Sequence, residues 1–303
     1  MEGAAMDDLS TLRKWYARDL GLRAPVRRKP ELIDAFGRVP RERFLGPGPW
    51  RILPDIRPDM PFTTPDDDAS WIYHDVLVTI DVARGLNNGL PSFWAKNFDH
   101  LDLAAGRRVL QVGAGTGYYS AVLAEVVGPK GHVTAVEFDA ELAARARDNL
   151  APWPQVEVLS GDGRTADTGA VDAIVVFAGS THPSPLWLDR LAPGGQLLMP
   201  LTGANWFGFL LLATRAADSA ARPRFTATSI GGVGIFPCAG GRDEEAAQRL
   251  ERALDEAVAE GRRNRLLPAI PITALHPGDP DPAAMDRVWY QGPGFWLERT
   301  ASG

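Results

Sequence analysis

Apolar residues in this chain fall into short runs divided by glycine, proline and acid clusters, and the runs alternate between strand and helix character. The run Val109–Val112 leads straight into Gly113, Gly115 and Gly117. Behind them Ala121, Val122, Leu123 and Val126 recur at the spacing of a helix with one buried side. Three further runs, His132–Asp139, Val156–Leu159 and Val171–Phe177, read as buried strands. Each ends in polar residues: Glu137, then Gly161-Asp162-Gly163, then Ala178 to Pro183. Strands that all become polar at the C-terminal end bring those residues to one edge of a sheet. Trp187–Leu191 reads as a short helix, Gln196–Leu201 as a fifth strand, and Phe207–Thr214 with Phe225–Ile230 as a closing antiparallel pair.

The flanking regions are less regular. Residues 1–6 read as disordered. Asp7–Leu20 has Leu9, Leu12, Trp15 and Tyr16 at helical spacing, and Pro30–Phe36 suits a second short helix with proline at its first position. Residues 46–68 are rich in proline and end in three aspartates, which predicts a loop without regular structure, either a cover over the site or a disordered excursion. Trp71–Ile80 reads as a strand or extended edge, and Leu86–Trp94 leads into a helix reaching about His100. Asp243 caps an amphipathic helix whose apolar side carries Ala246, Ala247, Leu250, Ala253, Leu254, Ala257 and Val258. A proline-rich linker at 268–282 precedes two short strands, Arg287–Tyr290 and Gly294–Glu298, expected to form a hairpin.

Composition narrows the field. The 303 residues are 45% hydrophobic and 23% charged, an ordinary globular mixture, and a net charge of −6 argues against an electrostatic grip on nucleic acid. A single cysteine, Cys238, excludes an internal disulfide and any cysteine-rich metal site, so no metal is expected and a reducing cytoplasm is. The N-terminus has no apolar core of a signal peptide. Phe207–Ala213, the longest apolar run, is too short to span a bilayer, so no membrane partner is expected.

Three glycines at alternate positions let the chain turn sharply and leave its N–H groups open to an anionic ligand at a helix N-terminus. A tight connection that binds nothing needs glycine too. What adds meaning is Glu137, about twenty residues on, where a nucleotide-type fold places a carboxylate against both hydroxyls of a ribose. The pattern is Gly-x-Gly-x-Gly, not the Gly-x-Gly-x-x-Gly of dinucleotide folds, so an adenosine-bearing cofactor of another kind is expected.

With Glu137 and Gly161-Asp162-Gly163, this pattern resembles the class I S-adenosylmethionine-dependent methyltransferases. Within them the chain resembles the protein-L-isoaspartate O-methyltransferase family. The resembling segments are Arg38–Phe44, Tyr73–Asp75, Val109–Asn149, Gly161–Gly163 and Leu191–Pro200, in the family's order, with Ile235–Pro237 as a further one. The resemblance implies an α/β, Rossmann-like fold with a mostly parallel seven-stranded sheet flanked by helices. The expected division is N-terminal helices and lid over 1–100, a cofactor-binding core over 101–240, and a C-terminal helix and hairpin over 241–303. It also implies S-adenosyl-L-methionine as cofactor, with Gly113, Gly115 and Gly117 at the methionine portion, Glu137 at the ribose, and Asp162 with Gly163 at the adenine.

In the family a threonine–isoleucine–serine loop before a proline lies over the cofactor. Aligned on Pro91, those residues become Asn87, Asn88 and Gly89, which places Asn88 and Trp94 near the sulfonium and removes the serine. His182 is the candidate proton acceptor, and Tyr73 and His74, with Trp71 and Trp94, are candidates for the acceptor-side wall. The missing serine and the extra tail favour a non-isoaspartyl acceptor, either a small metabolite or a peptide natural product. Isoaspartyl repair and a non-catalytic nucleotide-binding module are the competing readings. For the tail the readings are a fold over the active site or a homodimer contact.

Overall fold

The structure is a computed structural model that describes residues 2–53, 60–217, 223–263 and 270–300. In chain order the helices and strands begin with α1 (Glu2–Arg23), α2 (Glu31–Arg38), α3 (Glu42–Leu45), β1 (Arg51–Leu53) and β2 (Phe62–Thr63). Next come β3 (Leu77–Asp81), β4 (Leu86–Asn87), α4 (Pro91–Phe98), β5 (Arg108–Val112), α5 (Tyr118–Val127) and β6 (His132–Glu137). Then follow α6 (Ala140–Leu150), β7 (Val156–Ser160), β8 (Val171–Val176), α7 (Pro185–Arg190), β9 (Leu191–Thr202) and β10 (Phe207–Arg215). The chain closes with β11 (Phe225–Gly234), α8 (Glu244–Arg263), β12 (Ile272–Pro277), β13 (Val288–Gly292) and β14 (Phe295–Arg299). No helix among the described residues is long and apolar enough to cross a membrane.

Two compact units interleave along the chain. The first comprises Met1–Gly106, Ala114–Val133 and Asp139–Val158; the second comprises Arg107–Gly113, Thr134–Phe138 and Leu159–Gly303.

The first unit is organised by aromatic rings around a buried cation. Phe36, Phe44, Tyr118 and Tyr119 meet edge to face with centroids 5.1–6.2 Å apart, and Tyr16 meets Tyr73 in the same way at 5.5 Å. Arg41 is wholly buried among them, its guanidinium 5.9 Å from the ring centres of both Tyr16 and Tyr118. A buried charge is tolerable only when its donors are satisfied. Here Nη1 donates to the carbonyls of Ile72 (2.5 Å) and His74 (2.6 Å) and Nη2 to that of Val76 (2.6 Å), while Nε is buried with no partner among the described residues. The segment 72–76 is thereby shaped by a side chain rather than by a strand ladder. That explains why the strand expected over Trp71–Ile80 begins only at Leu77: a 3-10 turn, Ala69–Ile72, occupies its start and is capped by Asp68, which accepts from Ser70 N–H at 2.8 Å. A small sheet of order β2-β1-β3-β4 includes parts of residues 46–68, so that stretch is not free of regular structure; its residues 54–59 lie outside the described ones. Helix α1 starts at Glu2, earlier than the spacing suggested.

The second unit carries the large sheet. Its order is β13-β14-β12-β11-β10-β9-β8-β5-β6-β7, ten strands among the described residues. The seven expected strands form the continuous run β7 to β11, and the tail adds three more beyond β11. β8 pairs in parallel with both β5 and β9. From β9 outward to β13 every neighbouring pair is antiparallel, and β10 with β11 is the closing antiparallel pair expected of the seven. The linker expected at 268–282 contains β12, in which Ile272 and Leu275 are buried and the pairing register with β14 shifts between Ile272 and Ala274. Ile174, Val176, Leu197, Met199, Leu211, Leu250, Leu275 and Leu297 are all essentially inaccessible and form one core cluster, so the tail shares the core of the sheet. Helix α8 is capped as expected: Asp243 Oδ1 accepts from Ala246 N–H at 2.7 Å.

Candidate active site

In the second unit the C-terminal ends of four strands are tied together by backbone hydrogen bonds. Gly113 N–H donates to Val136 O (2.8 Å), Phe177 N–H to Val112 O (2.8 Å), and Gly161 N–H to Glu137 O (2.9 Å). Gly113 takes φ +83°, and a Cβ there would stand 3.4 Å from Phe177 Cβ. At this edge Glu137 is 8% exposed, a strand-end carboxylate held largely out of water. The next residue, Phe138, is 62% exposed. A large ring turned to solvent beside a buried acid offers a stacking face for a planar base. Sequence reading missed it, although an aromatic directly after the strand-end acid was the available signal.

Asp162 and Gly163 follow β7 at the same edge. Both Asp162 oxygens are taken by Arg164: Oδ2 accepts from Nη2 at 2.6 Å, and Oδ1 from the Arg164 N–H at 2.9 Å. Those bonds hold the Asp162 carboxyl below the usual range despite some burial. Arg164 also donates to Gly240 O. Gly163 O accepts from Trp187 Nε1 at 2.8 Å, and a Cβ on Gly163 would stand 2.6 Å from Val112 Cγ1.

The turn after β8 is gripped by the segment 236–243. Gly179 N–H donates to Phe236 O (2.7 Å), Cys238 N–H to Gly179 O (2.8 Å), and Thr181 N–H to Gly241 O (3.1 Å). Arg242 joins this turn to the end of β9, donating to Gly179 O, to Thr202 Oγ1 (2.6 Å) and to Gly203 O (2.6 Å). His182 is half-buried, its Nδ1 2.9 Å from Thr181 Oγ1. Burial, with Arg164 nearby and Asp243 opposing, lowers the imidazole pKa, so the ring is neutral near pH 7.

In the first unit the two remaining glycines turn the chain into α5. Gly115 has φ +58° and Gly117 φ +96°; a Cβ on Gly117 would collide with Leu150 at 2.7 Å. In front of Gly115 the nearest side-chain atom to such a Cβ is Ile80 Cδ1, 3.9 Å away. Asn88 Oδ1 accepts from Val78 N–H at 2.9 Å, while its Nδ2 is buried with no partner among the described residues. A buried amide without an acceptor is costly unless a ligand supplies one.

Other candidates occupy structural positions in this unit. Tyr73 is 3% exposed; its hydroxyl donates to Glu42 and accepts from Arg13 Nε (3.0 Å) and Arg41 N–H (3.1 Å). Burial and Glu42 push its pKa well up, which removes it as an acid or base near neutrality. Trp94, 2% exposed, packs against Phe93, Phe98 and Tyr119 instead of presenting a face to a sulfonium. His74 is exposed, and the contact it makes with Arg41 is through its carbonyl. Among the described residues no group of three His, Cys, Asp or Glu side chains is placed to hold a metal ion.

A sheet edge with a glycine turn and a buried strand-end carboxylate defines a class I S-adenosylmethionine-dependent methyltransferase. Residues 66–226 match the sequence profile of Protein-L-isoaspartate(D-aspartate) O-methyltransferase (PCMT), and the chain belongs to that family. A Protein-L-isoaspartate O-methyltransferase of Methanopyrus kandleri is 36% identical over 229 residues, covering 74% of this chain and 88% of its own. One of Methanothrix thermoacetophila is 34% identical over 192 residues, covering 62% and 80%. Among solved structures, a protein-L-isoaspartate O-methyltransferase superposes with a TM-score of 0.62 at 21% identity, over 96% of this chain and 88% of that one. A Plasmodium falciparum structure assigned to the same enzymes, in complex with S-adenosyl-L-homocysteine, gives 0.56 at 17% identity, over 75% and 97%. The likeness to these two shows the fold.

The cofactor of this enzyme is S-adenosyl-L-methionine. The residues fit it: in the second unit Glu137 suits a diol and Gly113 leaves its backbone bare, and in the first unit the Asn88 amide is a donor with no acceptor among the described residues.

Proposed function

We propose that the chain methylates a carboxylate on a peptide, that of an L-isoaspartyl residue. The observation that carries this reading is the 36% identity to an enzyme so named, over 88% of that enzyme's length. When bound, S-adenosylmethionine supplies a methyl group on a cationic sulfur: a C–O bond forms to the carboxylate oxygen as the C–S bond breaks, and its electron pair stays on sulfur. No proton moves, so no base is required of the protein. The residues instead bind and align. Glu137 would accept from the ribose hydroxyls, Phe138 would offer a face to the adenine, the Gly113–Gly117 backbone would hold the methionine portion, and Asn88 Nδ2 would be a further donor to the cofactor. Asp162, already bound by Arg164, shapes the adenine pocket through its backbone. His182, neutral, stands on the acceptor side. We infer a cytoplasmic location, a reading that the single cysteine of the sequence supports. Incubation with an isoaspartyl peptide and methyl-labelled cofactor tests the reading; transfer to that peptide and not to its aspartyl isomer is expected, and no transfer to either overturns it.

A second reading, methylation of another acceptor such as a peptide natural product, is favoured by position 89. The family's serine is glycine here, and the site has no room for a side chain: a Cβ on Gly89 would stand 2.8 Å from Trp94 Nε1 and 3.3 Å from Tyr119 Cε2. Turnover of a non-isoaspartyl peptide in preference to the isoaspartyl one would favour this alternative.

A further inference from the structure

Thr181 is held at three atoms by the C-terminal part of the chain. Its N–H donates to Gly241 O, its carbonyl accepts from the Tyr290 hydroxyl at 3.1 Å, and its Oγ1 accepts from Asp243 N–H at 3.0 Å. Tyr290 lies on β13, and its hydroxyl is also 3.2 Å from Ala246 O in α8. Both contacts therefore come from the segment added beyond β11. Thr181 is 0% exposed, so its hydroxyl proton needs an acceptor inside the protein. Among the described residues the one acceptor in reach is His182 Nδ1, at 2.9 Å. Nδ1 is then a lone pair receiving that bond, and the ring proton sits on Nε2. The bond at Nδ1 is the one hydrogen bond the His182 ring makes among the described residues, which leaves Nε2 for a ligand. Pro183 restricts the backbone of His182 to extended conformations, which narrows the directions the ring can take.

We propose that His182 binds the acceptor carboxylate as a neutral Nε2–H donor, and that Asp243 and Tyr290 of the C-terminal segment are positioning residues that fix this tautomer and its place. The inference rests on the carboxylate reading above and gives the tail a task in it. A neutral donor holds one carboxylate oxygen and leaves the other free to attack, whereas a base in this position would have no proton to remove. Burial of the ring agrees with neutrality but is not what fixes the tautomer; the threonine hydroxyl is.

Two measurements on the full chain test it. Nitrogen-15 NMR of the His182 ring should show the proton on Nε2 in the wild type, and Thr181→Val should mix the two tautomers. In steady-state kinetics with an isoaspartyl peptide, Tyr290→Phe should raise KM about fivefold or more with kcat nearly constant, as expected for loss of a binding geometry. Affinity for S-adenosylhomocysteine should be unchanged, a result that general misfolding would not give. His182→Ala should raise KM about tenfold or more, with His182→Gln, which keeps an N–H donor, recovering part of the loss. A ring protonated at Nδ1, or an unchanged KM in Tyr290→Phe, overturns this inference alone. Absence of any peptide methylation by the wild type overturns the carboxylate reading beneath it, and with it the assigned partner of His182.

Discussion

Gly89 lies against the Trp94 indole so closely that a Cβ built on its backbone would come within 2.8 Å of Nε1 and 3.1 Å of Cδ1. Its φ of +77° adds a conformational penalty for any other residue. Restoring the family's serine by Gly89→Ser is therefore expected to destabilise the protein by about 1–3 kcal/mol, from overpacking and left-handed strain together. Thermal unfolding of the two proteins checks this. A variant as stable as the wild type would mean that the loop relaxes freely.

Glu137 carries the ribose assignment. Glu137→Ala should weaken S-adenosylhomocysteine binding by about 10- to 100-fold, the range for losing hydrogen bonds to a charged group. Isothermal titration reads it directly, and an unchanged dissociation constant would move the sugar elsewhere.

Arg41 satisfies three carbonyls from a wholly buried position. Arg41→Met keeps much of the volume but leaves Ile72 O, His74 O and Val76 O without these donors. A loss of about 3 kcal/mol or more is expected, since each unsatisfied buried acceptor costs about 1–3 kcal/mol. Urea denaturation would show it as a lower midpoint.

Asp99 predicts an acid limb. Burial favours its neutral form, but the backbone N–H groups of Arg27, Arg28 and Lys29, at 2.7–3.0 Å, outweigh that and lower its pKa in the fold. A carboxylate with a depressed folded value contributes stability above its unfolded pKa, about 4, and loses it as pH falls through the folded one. Asp99→Asn should therefore be less stable at neutral pH and show a shallower decline below about pH 4. Denaturation midpoints across that range check the sign.

How much of this was legible in the sequence depended on how each residue earns its place. The strands β5, β6 and β8 are buried through most of their length, so unbroken apolar runs announced them, and Glu137 stood out as the acid closing one such run. The Asp243 cap was equally readable, because capping is local chemistry. Arg41 was not: within Arg38–Phe44 it looks like any surface arginine, and only the fold reveals its partners thirty and more residues away. Tyr73 and Trp94 misled for a related reason, since an aromatic beside polar residues reads alike whether it faces a ligand or a core. The tail was seen as a hairpin, but not as the outer strands of the main sheet. The hairpin joins the sheet through β12, whose own partner β11 lies some fifty residues back, and no local pattern encodes that distance.

The spokes that Arg41 extends to residues 72, 74 and 76 have a kinetic corollary. A ladder can fray rung by rung, but a stretch hung from a single hub is either docked or detached in one event. Amide exchange across this stretch is thus expected to follow a common rate instead of a gradient, with the opening of one side chain as its clock.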